Sequence, residues 1–264
     1  MHAWFCDTLD GVDALRWREA PTPEPGPGEV RIAVKAASLN FPDLLIVQGK
    51  YQFKPALPFV PGAEYAGLID AVGDGVTHLR PGQPVAAIAG TGGFGTYAVV
   101  KAAQVLPLPP GFALEHAAAF AFTYGTSHHA LVDRAQLKAG ETVLVLGAAG
   151  GVGTAALQIA KAMGARVIAA ASTDEKCQRC IELGADATLN YSRENVRDAL
   201  KALGRADLIG NGKHHLIPTF QPKEGEGYVS ARRKNSTAAG ERTSPVTKGR
   251  LLTQHTGLPP RKTR

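Results

Sequence analysis

The chain has 264 residues, 44% hydrophobic and 20% charged, an ordinary balance for a soluble globular protein with room for two domains and a sizeable core. No apolar run approaches the roughly 18 residues of a membrane span, so no membrane partner is expected. The net charge is +6, but 206–264 holds 11 basic and 4 acidic residues against 18 and 19 in 1–205, so the excess assigns no partner to the body of the chain.

The N-terminus, MHAWFCDTLDG, has no basic region ahead of an apolar core, so no signal peptide is expected. The three cysteines, Cys6, Cys177 and Cys180, suggest a reducing compartment. Together these features predict a cytoplasmic location.

Residues 1–115 read as mostly β. Glu29 to Ala36 alternates polar and apolar residues after the stiff turn PTPEPGPG. Further turns at Pro61-Gly62, Gly73-Asp74-Gly75, Pro81-Gly82 and Pro109-Pro110-Gly111 bracket strands at Glu64 to Val72, Gln83 to Ala89 and Thr96 to Val100. Such close turn spacing predicts a compact barrel or sandwich. The cluster GTGGFG at 90–95 has no long helix after it and reads as a loop. Leu114 to Leu131 turns helical; its histidines, His116, His128 and His129, complete no ligand pair at metal spacing.

Glu141 to Met163 reads as a strand, a glycine turn and a helix. Thr142 to Leu146 is a short apolar run, as in a strand buried on both faces. Val152, Ala155, Ala156, Ile159, Ala160 and Met163 recur at helical spacing, and Gly164 offers a left-handed cap. A helix start presents unpaired N–H groups and partial positive charge, and glycine lets the backbone approach a pyrophosphate. The dinucleotide pattern G-x-G-x-x-G falls on Ala148-Ala149-Gly150-Gly151-Val152-Gly153, with alanine in its first place. A structural strand-to-helix turn is the plainer reading.

A second strand, Arg166 to Ala171, follows. An NAD site usually carries an acidic residue at its end, roughly 20 residues on. Here that place is Ser172 or Thr173, with Lys176 and Arg179 after it, which favours NADP; Asp174 argues the other way. Ser172 also reads as a helix N-cap with Glu175 closing a capping box. A helix over 174–183 contains the C-x-x-C of Cys177 and Cys180, read as two thiols on one helical face rather than a zinc site. A strand over 187–190 and a helix over 193–203, N-capped by Ser192, complete a β-α-β-α-β-α order. That order predicts the first half of a parallel, right-handed doubly wound (Rossmann) sheet.

Residues 206–264 lose all periodicity, and only 10 of their 59 residues are Leu, Ile, Val or Phe, which predicts disorder. Few aromatics accompany the basic runs at 232–234 and 261–262, so no nucleic-acid partner is expected.

GAAGGVG at 147–153, NFPDLL at 40–45, VPGAEYAG at 60–67 and TYGTSHHAL at 123–131 together resemble the zinc-independent quinone oxidoreductases. These form the zeta-crystallin-like branch of the medium-chain dehydrogenase/reductase superfamily. The resemblance covers about 1–205. It implies a GroES-like β domain (1–115), a Rossmann NADP-binding domain present in its first half (116–205), and an atypical tail (206–264). It implies NADPH as cofactor, a quinone or other conjugated carbonyl (enone) as small-molecule acceptor, and homodimers formed through the Rossmann sheet edge. No zinc is expected: the run where zinc-dependent relatives have G-H-E is Gly62-Ala63-Glu64, and no cysteine lies between Cys6 and Cys177.

By the same resemblance the catalytic pocket falls on Asn40, Asp43, Tyr51 and Thr123. Asn40 and Tyr51 would donate to the acceptor oxygen, Asp43 would orient them, and Thr123 would contact the nicotinamide. Ala149, Gly150, Gly151, Val152 and Gly153 would hold the pyrophosphate, and Ser172, Lys176 and Tyr191 would surround the 2′-phosphate. Plainer readings stand beside these: Asn40 and Asp43 as turn residues, Tyr51 as a packed aromatic, Thr123 as a helix-start hydroxyl. Relatives continue beyond Arg205 with more Rossmann sheet and a return to the β domain. The alternative expectation is therefore a truncated or frame-shifted, non-catalytic fragment with weak nucleotide binding at most.

Overall fold

The computed structural model describes residues 1–210. The chain divides into two compact units, Met1–Ala199 and Leu200–Arg264. Of the second, the described residues hold the end of the last helix and a 3-10 turn at Ala206–Leu208. The disorder expected of the tail falls, beyond that turn, outside the described residues.

In chain order the elements are β1 (His2–Phe5), β2 (Arg16–Glu19), β3 (Glu29–Ala37), α1 (Phe41–Ile46), β4 (Glu64–Val72), β5 (Pro84–Ile88), β6 (Tyr97–Lys101) and β7 (Val105–Pro107). Then follow α2 (Leu114–Ala117), α3 (Ala121–His128), β8 (Thr142–Leu146), α4 (Gly151–Ala162), β9 (Arg166–Ala171), α5 (Asp174–Glu182), β10 (Ala187–Asn190) and α6 (Val196–Ala202).

The first seven strands make a five-stranded antiparallel sheet, ordered β6-β3-β4-β5-β7, and a separate β1-β2 pair. β3 and β4 are its longest strands, and inward residues of the sheet, including Val30, Ile32, Tyr65, Ile69, Val85 and Val100, build one core. This is the stretch for which the resemblance implies a GroES-like β domain. β8, β9 and β10 make a parallel sheet, ordered β10-β9-β8, with α4 and α5 as crossovers. The near-continuous apolar run of β9 is buried along five of its six residues, as a strand covered on both faces requires. Its core joins Val145, Leu157, Ala160, Val167 and Cys180. The parallel order with helical crossovers is that of the first half of a Rossmann sheet.

Several local expectations need correction. The helical stretch at 114–131 is broken at Ala118–Phe120 into α2 and α3, and a π-helical turn follows at His129–Arg134. Thr173, not Ser172, caps α5: its hydroxyl accepts the Lys176 N–H at 3.2 Å, which leaves Ser172 one residue before the cap. The last helix starts at Val196, not Arg193. Asn190 draws the chain into a turn first, accepting the N–H of Arg193 and Glu194 on its carbonyl. Asn195 then accepts the Arg197 N–H at 3.0 Å. β1 and β2 carry no turn signal and have no counterpart in the sequence pattern.

Candidate active site

The phosphate end of the site is built where β8 meets α4. Gly147 turns the chain with φ 64°, a left-handed value that suits glycine. Gly150 is the N-cap of α4, and Gly151, Val152 and Gly153 form its first turn. At Gly153 a Cβ would lie 2.4 Å from the Gly147 carbonyl oxygen and 2.7 Å from the Ala148 Cα, so only glycine permits this approach of helix to strand. Gly150, Gly151 and Val152 are exposed. The first-turn N–H groups of a helix have no intrahelical partner. A helix start packed this closely on its strand, with exposed glycines facing open space, suits a pyrophosphate. Ala149 lies within the turn, packed against the core under α4.

Ser172 and Lys176 stand together at the C-terminal end of β9, the Lys176 Nζ 3.3 Å from the Ser172 Oγ. The Ser192 Oγ donates to the Ser172 carbonyl at 2.7 Å, bringing the end of β10 and exposed Tyr191 alongside. Asp174 stands there too. It accepts from Asn190 Nδ2 at 2.7 Å and pairs with the Arg193 guanidinium. The sequence pattern assigns Arg193 only to a helix.

The other predicted residues divide. Asn40 precedes α1, and its amide hydrogens point inward: Nδ2 donates to Ser38 Oγ at 2.8 Å and lies 3.4 Å from Glu64 Oε2. Both carboxylate oxygens of Asp43 accept backbone N–H groups, from Asn40 at 2.8 Å and Ala63 at 3.0 Å, which ties α1 to the approach to β4. Burial pushes the Asp43 carboxyl up against the pull of those two bonds, and the charge of Glu64 pushes the same way. Thr123, in α3, donates to the Ala119 carbonyl at 3.1 Å. Its methyl group sits where a Cβ on Gly151 would come within 3.2 Å. Tyr51 lies beyond the other end of α1. Its ring packs on the cluster of Cys6, Ile46, Val47 and Phe59, and its hydroxyl makes no hydrogen bond among the described residues. Of the four, Thr123 touches the glycine turn, Asn40 and Asp43 lie at the start of α1, and Tyr51 packs beyond its far end.

Beside α1 opens a cleft of about 920 Å³, walled by Trp4, Trp17, Leu39, Phe41, Leu44 and Phe94, with Asn40 and Asp43 also on its lining. Its character suits a planar, mostly apolar molecule. Among the described residues, no group of three or more His, Cys, Asp or Glu side chains could hold a metal ion. No described helix is long and apolar enough to cross a membrane.

Residues 26–110 match the family model for the Alcohol dehydrogenase GroES-like domain, and residues 151–215 that for Zinc-binding dehydrogenase. The chain is 38% identical over 201 residues to Quinone oxidoreductase-like protein 2 of Bos taurus, covering 75% of this chain and 56% of that protein. It is 40% identical to the quinone oxidoreductase from Thermus thermophilus, whose structure was also solved in complex with NADPH; the TM-score is 0.68, covering 77% of this chain and 64% of that one. It is 30% identical to the Escherichia coli quinone oxidoreductase complexed with NADPH, with a TM-score of 0.74, covering 79% of this chain and 65% of that one.

The chain belongs to the medium-chain dehydrogenase/reductase superfamily. Within it, the chain is a member of the quinone-oxidoreductase-like, zeta-crystallin-like branch. This chain of the branch spans only about half the length of the curated relatives it matches. Residues 186–247 also match a Domain of unknown function (DUF3362), overlapping the dehydrogenase match. That match reaches into the atypical tail as far as residue 247.

Proposed function

We propose that this chain is a zinc-independent, NADPH-dependent oxidoreductase that reduces a quinone or another conjugated carbonyl. The observation that carries the reading is the glycine turn: Gly153 lets α4 pack on the Gly147 carbonyl, and the Ala148 N–H donates to the Ala170 carbonyl at 3.0 Å, which sets the turn beside the end of β9 where Ser172 and Lys176 stand. With its phosphates held there, NADPH would supply a hydride from its nicotinamide. The chain's own residues bind, orient and exclude water. Gly150, Gly151, Val152 and Gly153 offer N–H groups to the pyrophosphate, with Ala149 shaping the turn beneath it. Ser172, Lys176 and Tyr191 take the 2′-phosphate. Thr123 places a methyl and a hydroxyl beside the glycine turn. The apolar cleft receives the acceptor. Asn40, on the lining of that cleft with its amide hydrogens engaged inward, serves to orient, and Asp43 braces the start of α1 beneath it. On this reading 1–115 is the β domain, 116–205 the nucleotide-binding part and 206–264 a separate tail, in a cytoplasmic protein able to form homodimers.

A second reading is a nucleotide-binding piece without turnover. Its support is that β8 pairs only with β9 among the described residues, with Leu146 at its end 66% exposed. Both readings are tested by titrating the purified chain with NADPH and following nicotinamide absorbance after a quinone is added. The parent should bind, and Gly153→Val should weaken binding at least about tenfold by blocking the backbone approach. Binding with turnover supports the enzyme. Binding without turnover supports the second reading, and no binding by a folded parent removes both.

A further inference from the structure

Glu64 is a fully buried carboxylate that the chemistry above does not use. A buried charge persists only where hydrogen bonds replace its water, and its partners come from two separate places in the chain, 38–40 and Phe122. Oε2 accepts from Ser38 Oγ at 2.7 Å and faces Asn40 Nδ2 at 3.4 Å. Oε1 accepts the main-chain N–H of Phe122 at 2.8 Å. Phe122 is the second residue of α3, so this N–H is one that the helix itself cannot satisfy. A carboxylate at that end also meets the positive end of the helix dipole. The side chain of α3's N-cap residue, Phe120, makes no capping hydrogen bond. Glu64, from 58 positions earlier, takes that role.

What α3 carries makes the contact consequential. Thr123 is the next residue, with its methyl against Gly151. One turn further, Ser127 Oγ donates to the Val152 carbonyl at 2.8 Å, and the Tyr124 hydroxyl bonds the Gln158 side chain. α3 is thus fixed along the start of α4 on one side and held by Glu64 on the other. Through Ser38, the same carboxylate holds the amide of Asn40.

We propose that Glu64 is a positioning residue: one carboxylate sets Asn40 and Thr123 relative to the glycine turn, and so aligns the reactive end of the site without touching cofactor or acceptor. This rests on the oxidoreductase reading for its kinetic consequence, but not for its structural one.

The test uses the full chain with Glu64→Gln, which keeps the shape, and Glu64→Ala. In Glu64→Gln the NADPH dissociation constant should stay within about threefold of the parent while kcat falls at least about tenfold, since small misplacements of reacting groups are costly. In Glu64→Ala the amides over 119–127 should exchange with deuterium at least about tenfold faster than in the parent. An unchanged kcat in Glu64→Gln overturns the proposal, as does a kcat loss matched by an equal loss of NADPH affinity. Unaltered exchange over 119–127 in Glu64→Ala overturns it too, whether or not the parent turns over. A parent that binds no NADPH removes the oxidoreductase reading alone, and Glu64 is then judged by the exchange. If Glu64→Ala does not fold, exchange in Glu64→Gln decides: faster exchange supports the proposal and the parent's rate overturns it.

Discussion

At the ends of β9 and β10 one carboxylate, Asp174, stands among groups suited to a phosphate. Left bare it would repel a 2′-phosphate and favour NADH. It is not bare: Asn190 donates to it at 2.7 Å, and Arg193 pairs with it. Both partners of the ion pair are largely exposed, so its strength is limited to about 1 kcal/mol or less. Arg193→Ala should therefore weaken NADPH binding about threefold to fivefold and leave NADH nearly unaffected. Asp174→Asn in that background should restore most of the loss. Fluorescence titration with both nucleotides reads the difference, and an equal loss for the two would show that Arg193 does not act on the 2′-phosphate. Ser172 and Lys176 are read as a 2′-phosphate site because they follow the plain apolar run of β9, whereas Tyr191 enters only through the family resemblance. Arg193 was hidden in a stretch that reads as helix. Glu64 was hidden for another reason. Its partners lie 26 and 58 positions away, and no local pattern joins a carboxylate in β4 to the start of α3.

Among the elements, β4 matches its predicted bounds, and β3, β5 and β6 fall within a residue of theirs, because alternation and turn residues mark both ends. β1 and β2 escaped because four-residue strands hold no periodicity. They form by pairing with each other, Trp4 opposite Trp17 with ring centroids 5.6 Å apart. The parallel sheet is tied by Asp186, ahead of β10. Its carboxylate accepts from Lys161 of α4 at 2.8 Å and from the Val167 N–H of β9 at 2.6 Å. The lysine, then the backbone bond, hold the Asp186 carboxyl below the usual carboxylate value. A carboxyl depressed by folding stabilises above its unfolded pKa, and that contribution fades as pH falls through the folded pKa. With the pair about one third exposed, solvent screening limits the effect. Asp186→Asn should lower Tm by about 2–4 °C at neutral pH. The gap from the parent should close as the solution is acidified below the ordinary carboxylate range. A gap that stayed constant with pH would assign the loss to packing instead.

For the whole molecule, the order of the two folded halves was readable from turn spacing and from the switch to strand-helix alternation at Glu141. The extent of exposed apolar surface was not, because it depends on which faces find partners. Leu39 is 85% exposed and Phe41 72%, both on the cleft beside α1. Contiguous apolar surface of this kind binds hydrophobic dyes. The native chain should enhance ANS fluorescence, and Phe41→Glu should roughly halve the signal with little change in Tm, because an exposed side chain adds little to stability. An undiminished signal would place the dye elsewhere.

On the proposed reading, the residues that hold the nucleotide all fall between Gly147 and Arg193, within one unbroken run from β8 to just past β10. Those assigned to the reactive end come from the link between β3 and α1 and from α3, far apart in the chain and tied together at a single carboxylate of β4. Holding the coenzyme and using it are therefore encoded separately. A graft that exchanged the Ser38–Tyr51 segment could retune which molecule is reduced while the handle on the coenzyme passed through unaltered.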